Sequence, residues 1–199
     1  MNNNLEIKRK LFHIIAGLLA IVLLDLKILN VLILSIILLL GIISSILIKK
    51  KIKIPLIYWF LNKMDRDEDL KNFPGKGPIF FVLGCILSLL LFEKNLALAS
   101  IMVLTIGDAV SLLFGINFGR TVNPLNKKKL IEGTIIGILL STIAATLFLN
   151  LREAFIASLF GMIIESIELR ITKKIIIDDN ITVPLIAGSS VLLFRLLGI

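Results

Sequence analysis

The sequence lacks most of what a soluble enzyme uses to build a surface or a site. Its 199 residues include one cysteine, one histidine, one tryptophan, one tyrosine and 14 acidic side chains. A lone Cys85 excludes a disulfide framework, and Cys85 with His13 cannot supply the ligands of a Cys/His zinc site or a two-histidine metal site. A Ser-His-Asp hydrolase is equally hard to assemble, because the one imidazole sits beside the basic N-terminus. Charge is scarce too: 18% of residues are charged, 57% are apolar, and the mean hydropathy is +1.01. A water-soluble surface cannot be made from that supply, so the composition is that of an integral membrane protein. The net charge of +8 does not indicate nucleic acid, since the cations flank apolar runs and no aromatic-studded basic groove accompanies them.

What the sequence has is long apolar runs. They cover residues 11–24, 28–48, 78–92, 96–118, 133–151, 154–169 and 181–194, and predict an all-α bundle of seven transmembrane helices forming a single polytopic domain. The runs 28–48 and 133–151 are long enough to cross unaided, whereas the first, third, sixth and seventh must recruit flanking residues. Residues 1–24 begin like a signal peptide, but Asp25-Leu26-Lys27 follows without a small-residue cleavage pattern, so they read as a retained helix. Alternate connections differ sharply in charge. The N-terminus and residues 49–77, 119–131 and 170–180 hold 3, 8, 4 and 3 Lys and Arg, while the other side has only Lys27, Lys94, Arg152 and Arg195. The positive-inside bias places the N-terminus in the cytoplasm. The outer turns (residues 25–27, 93–95 and 152–153) are short, so function should face the cytoplasm of a multi-pass cell-membrane protein. In the longest inner connection, Pro55 followed by Tyr58 and Trp59 predicts an interfacial helix. No internal repeat is present, and the Gly and Ser content of the spans permits close helix packing and a homodimer.

Carboxylates inside apolar runs are costly unless paired or functional, which singles out Asp108 and Glu165. Asp108 follows Gly107, where another backbone or a ligand can approach closely. Then come Gly115, Asn117, Gly119 and Arg120, the lysines Lys127 to Lys129, and Glu132-Gly133 opening the next helix. Glycine-rich backbone, cations and a helix N-terminus suit phosphate oxygens, and carboxylates at the same depth suit a divalent metal between phosphates. The spacing lacks the Gly-Lys-Ser/Thr ending of a P-loop. Arg170 to Lys174 leads to Asp178-Asp179-Asn180 at the start of the last helix, where aspartate also serves as a cap. With the predicted topology, Asp108, Lys127 to Lys129, Glu132, Glu165, Asp178 to Asn180 and His13 converge on one cytoplasmic mouth.

These residues resemble the polyprenol kinase group, which includes dolichol kinase, phytol kinase and a CTP-dependent diacylglycerol kinase. The match is carried by Glu6-Ile7-Lys8-Arg9-Lys10-Leu11-Phe12-His13, by Gly107-Asp108 with Gly115 and Phe118-Gly119-Arg120, by Lys129 with Glu132-Gly133-Thr134, and by Asp178-Asp179-Asn180 with Pro184. The resemblance implies a lipid kinase that takes phosphate from CTP with Mg²⁺ or another divalent metal and acts at the cytoplasmic membrane face on a long-chain isoprenoid alcohol. It implies catalytic roles for Asp108, Glu132 and Asp179, and metal binding by Asp108, Glu132, Asp178 and Asp179. It implies nucleotide contacts from Gly107, Gly115, Asn117, Gly119, Arg120, Lys127, Lys129, Gly133 and Asn180, with Lys10, His13 and Glu165 at the lipid substrate. Phosphoryl transfer needs mainly positioning and electrostatics, which such a set supplies. A CTP:lipid-phosphate cytidylyltransferase would use the same nucleotide, metal and membrane face. A small transporter or scaffold with an Asp108–Glu165 relay needs a polar path outward, and the outer halves of the helices offer only scattered Ser35, Ser88, Ser100 and Thr142.

Overall fold

A computed structural model describes residues 3–52, 54–124, 126–167 and 177–198. The described chain is helical apart from one hairpin: α1 (Asn3–Asp25), α2 (Val31–Lys49), α3 (Pro55–Met64), α4 (Asp67–Asn72), α5 (Lys76–Leu91), α6 (Lys94–Met102), a π-helical turn (Val103–Asp108), α7 (Ala109–Phe118), β1 (Val122–Asn123), β2 (Asn126–Leu130), α8 (Ile131–Ala145), α9 (Leu151–Glu165) and α10 (Asp179–Leu196). Among the described residues, each predicted apolar run lies largely on helix. Two helices are long and apolar enough to cross a membrane, Val31–Lys49 and the continuous Lys94–Phe118. The run at 133–151 is shorter as a helix than predicted. It breaks at Ala145, and the Asn150 side chain accepts from the Glu153 amide at 3.0 Å to start α9, so Arg152 and Glu153 lie in that helix, not in the turn.

The Lys94–Phe118 helix is the axis of the bundle. Leu96 to Ile101 are fully buried, and α1, α5, α8, α9 and α10 all pack against it. Close approach is made by small residues. A Cβ on Gly17 would strike Thr105, one on Gly161 would meet Val103, and one on Gly133 would strike the Ser111 carbonyl, the small-residue interface expected where helices meet without a hydrophobic driving force. By contrast, α2 packs chiefly on α5 among the long helices and leaves Leu32 71% and Leu39 58% exposed. A helix apolar all round and bare on its outer side is one built for lipid.

Proline and glycine act together where α10 meets α5. Pro184 has no N–H, so the Asn180 carbonyl one turn earlier has no helical donor. That carbonyl lies against Gly84, where a Cβ would collide with it. At the bundle's other end, Arg195 donates to Glu153 at 2.6 Å and to Glu93 at 2.5 Å, and Lys94 pairs with Asp25 at 2.7 Å, tying α10, α9, α6 and α1 together.

The helix predicted at Pro55 is present as α3. Its Trp59 is exposed beneath the Lys63 ammonium, 4.3 Å from the ring centroid. The short α4 and the β1–β2 hairpin are not legible in the hydropathy pattern. The lysine run 127–129 is a strand, not a loop.

Candidate active site

The first helix puts Glu6, Lys10 and His13 on one face, at the three- and four-residue spacing of helical neighbours. Lys10 reaches Asp108, which is buried where the π-helical turn ends, and donates to its Oδ2. Single π turns inside α-helices are uncommon and often mark functional positions. Asp108 also lies near Lys129 and the His13 ring. The His13 ring stands edge-on to Phe81 with centroids 5.2 Å apart. Its Nε2 is buried without a hydrogen-bond partner.

Beside this pair lies a second one. Lys129, brought inward by β2, donates to the buried Glu165 at the end of α9 and lies 3.8 Å from Asp179. The Ser111 hydroxyl is 3.1 Å from both Glu165 Oε1 and the Asp108 carbonyl oxygen, bridging the two halves. Glu165 Oε2 is buried with no partner. Burial opposes the charge on Lys129, but Glu165, Asp108 and Asp179 outweigh it and hold the ammonium above the usual lysine range. The two aspartates at the start of α10 divide their roles. Asp178 caps the helix, accepting from the Asn180 amide at 3.2 Å, and pairs with Lys76 at 3.4 Å; Asp179 turns toward Lys129.

The other sequence-selected residues lie apart from this buried layer. Glu132 accepts from the Thr121 amide at 3.0 Å and from its hydroxyl at 2.8 Å, closing the base of the hairpin; its own backbone amide, together with these bonds, holds its carboxyl below the usual range. Asn117 is exposed and donates to the Leu113 carbonyl, and Arg120 and Lys127 are exposed. Gly107 packs on Met162, Gly119 on Leu130 and Gly133 on the Ser111 backbone, so these glycines serve helix and hairpin packing. Gly115 lines a narrow cleft of about 50 Å³ with Ser111, Lys129 and Thr134. The cations Arg170, Lys173 and Lys174 fall outside the described residues. Among the described residues no three His, Cys, Asp or Glu side chains form a ready-made metal site.

A cleft of about 430 Å³ opens beside Asp108. Its polar end is formed by Glu6, Arg9, Lys10, His13, Asp65, Arg66, Asp108 and Asn180, and the rest is apolar: Ala16, Ala20 and Leu23 on α1, Leu34 on α2, Phe60 and Leu61 on α3, Phe81 and Cys85 on α5. Arg66 grips Glu6 with two hydrogen bonds, at 2.8 and 3.0 Å. Burial would raise the Glu6 carboxyl, yet Arg66 and Arg9 hold it below its ordinary value. Burial keeps the neighbouring Asp65 above its own, although it accepts from the Gly75 amide at 2.7 Å, where Gly75 takes a positive φ of 73°. Arg66, Asp65 and Lys76 were not legible as site residues, because single polar residues in loops carry no spacing. Glu6 was visible only within the N-terminal segment of the resemblance and without a role.

No family model matches the chain, and no solved structure matches it. It is 31% identical over 187 residues to an uncharacterized protein of Methanocaldococcus jannaschii, covering 92% of this chain and 91% of that one. It is 29% identical over 191 residues to an uncharacterized protein of Rickettsia prowazekii, with 90% of each chain covered. With phytol kinase 1 of Arabidopsis thaliana it shares 31% identity over 127 residues, 55% of this chain and 40% of the plant protein, and a probable phytol kinase of Glycine max matches to a similar extent. Through its near full-length match the chain belongs to the family of the Methanocaldococcus protein, and over 55% of its length it is similar to phytol kinases.

Proposed function

We propose that the chain is a multi-pass membrane kinase that phosphorylates the terminal hydroxyl of a long-chain isoprenoid alcohol at the cytoplasmic face, with CTP as donor. The observation that carries this reading is the cleft: an apolar trough that ends, at one end only, on Lys10, His13 and the buried Asp108. An alcohol with a hydrocarbon tail matches both halves of it. The similarity to phytol kinases supports a kinase over a cytidylyltransferase, and the charge asymmetry of the connections supports seven spans with the N-terminus inside.

In this reading the hydroxyl enters beside Asp108 and is oriented by His13 Nε2, the buried ring atom without a partner. The Asp108 carboxylate accepts the hydroxyl proton as the alcohol oxygen forms its bond to the γ-phosphorus, and the bond from that phosphorus to the bridging oxygen breaks to release CDP. Lys10 and Lys129 stabilise charge spreading over the transferred group. Glu132 acts by positioning, since its bonds to Thr121 hold the hairpin that delivers Lys129.

The acidic residues present fit a divalent metal that arrives on its nucleotide. Asp108 and Asp179 already hold or face ammonium groups, and Mg²⁺ is commonly held by one or two carboxylates with phosphate oxygens and water completing its shell. When bound it would polarise the γ-phosphoryl oxygens.

The test is incubation of the purified, detergent-solubilised protein with γ-labelled CTP, Mg²⁺ and a panel of polyprenols, geranylgeraniol, phytol and diacylglycerol, beside an ATP control. Label entering an isoprenoid alcohol supports the proposal. Pyrophosphate release with a cytidine-bearing lipid, or no transfer to any alcohol, overturns it.

A further inference from the structure

We infer that Ala16 and Ala20 on α1 determine which tails the enzyme accepts, by forming the wall of a tail groove about 15 Å long; this rests on the lipid-kinase reading above. The stripe that carries Glu6, Lys10 and His13 continues with Ala16, Ala20 and Leu23, three or four residues apart, so one helix face changes from charged to apolar within a turn. All of these residues line the same cleft. Methyl side chains at two successive turns leave a channel where larger ones would fill it.

The channel exists because α1 and α2 part company. α1 packs on α6 and α7 whereas α2 packs on α5, so from their shared turn the two helices diverge and α5 backs the gap with Phe81 and Cys85. Leu19 and Ile37 line the gap and are 57% and 43% exposed, so its side is open in the direction from which a bilayer lipid would come. From His13 to Leu23 the helix rises about 15 Å, roughly half the hydrocarbon thickness of a bilayer. A tail lying in the groove with its hydroxyl at Asp108 therefore runs along α1 as far as Leu23, beside the turn at residues 25–27, and anything longer leaves through the open side. The groove reads the first part of the tail and is indifferent to total length beyond it.

The experiment uses the full-length protein in detergent or nanodiscs, with geranylgeraniol and the five-carbon alcohol prenol, which carry the same hydroxyl group on tails of different length. For Ala16→Leu and Ala20→Leu, the ratio of kcat/KM for geranylgeraniol to that for prenol is expected to fall about tenfold or more, the scale of pocket discrimination by added methylenes. Ala20→Ser, nearly the same size, should retain the wild-type ratio. Using the ratio separates tail recognition from any general loss of folded enzyme. A second measurement needs no turnover: a photoactivatable geranylgeraniol analogue should label the peptide containing residues 14–24 in the wild type and less in the leucine variants. Wild-type turnover with an unchanged ratio and unchanged labelling in the variants overturns the groove. Labelling of this peptide without phosphorylation of any alcohol overturns the kinase reading and leaves the groove standing.

Discussion

Lys10, two turns into the first helix, donates a hydrogen bond to Asp108 at the end of the π-helical turn, 98 residues further along the chain. That contact joins the first helix to the bundle's central helix, and both residues line the cleft. A buried carboxylate is tolerated when a partner neutralises it.

Asp108→Asn is expected to lower transfer of label from CTP to an alcohol by roughly 10²–10⁴-fold, the usual contribution of a positioned base. Asparagine keeps an acceptor oxygen for Lys10, so the circular dichroism spectrum and gel-filtration profile should match the wild type. A folded variant with normal turnover would remove Asp108 from the mechanism.

Lys129→Met leaves Glu165 buried without its cation, and breaking a buried pair in this way costs about 3–5 kcal/mol. Unfolding in detergent should show that loss. Adding Glu165→Gln removes the uncompensated charge and should recover a large part of the stability, though not the activity. A double variant no more stable than the single one would mean that the pair is not the source of the effect.

The Glu6–Arg66 contact predicts an acid-sensitive clasp over α3 and α4. The Glu6 carboxyl titrates below its ordinary value of 4.5 in the folded chain. Its contribution to stability is therefore present above that value and lost as the pH falls through the lower, folded one. Hydrogen exchange of residues 55–72 should quicken as the pH drops below about 4.5 after correction for the intrinsic rate. Glu6→Gln should exchange quickly at every pH. Equal protection of wild type and variant would show that the clasp does not hold the segment.

Gly84→Ala should destabilise the protein by about 1–3 kcal/mol, as overpacking does, because the added Cβ meets the Asn180 carbonyl. Displacing the start of α10 also moves Asp179 relative to Lys129, so turnover should fall further than stability alone explains. Gly41 offers the comparison: a Cβ there makes only ordinary contact with Ile79. Gly41→Ala should be neutral or stabilising by up to about 1 kcal/mol. If both glycines tolerate alanine equally, the close approach of α5 to α10 is not needed.

Helix positions were largely readable in the sequence because apolar length is what a bilayer demands of a span, and among the described residues most of each run from 11 to 194 is helical. The end of α8 was misplaced because Thr146 to Asn150 is nearly as apolar as the helix before it, and only the Asn150 cap marks the turn. Lysines 127–129 read as a topology signal, since a charged strand in a short hairpin leaves no hydropathic trace. The glycines near Asp108 had two readings, phosphate contact and close packing. Spacing is the same for both, and the neighbours Met162, Leu130 and Ser111 identify the packing role for Gly107, Gly119 and Gly133.

By itself the sequence determined that this is an apolar, helical chain with few charges, and that Asp108 and Glu165 are carboxylates in places where burial is expensive. Those facts follow from composition and from local hydropathy, which each residue carries with it. Only the tertiary structure decided which cation each acid meets, that Asp178 caps its helix while Asp179 turns to Lys129, and that the divergence of α1 from α2 leaves a tail-shaped cleft ending at Asp108. Partner choice and cavity shape depend on segments far apart in the chain, brought together by packing around the Lys94–Phe118 helix.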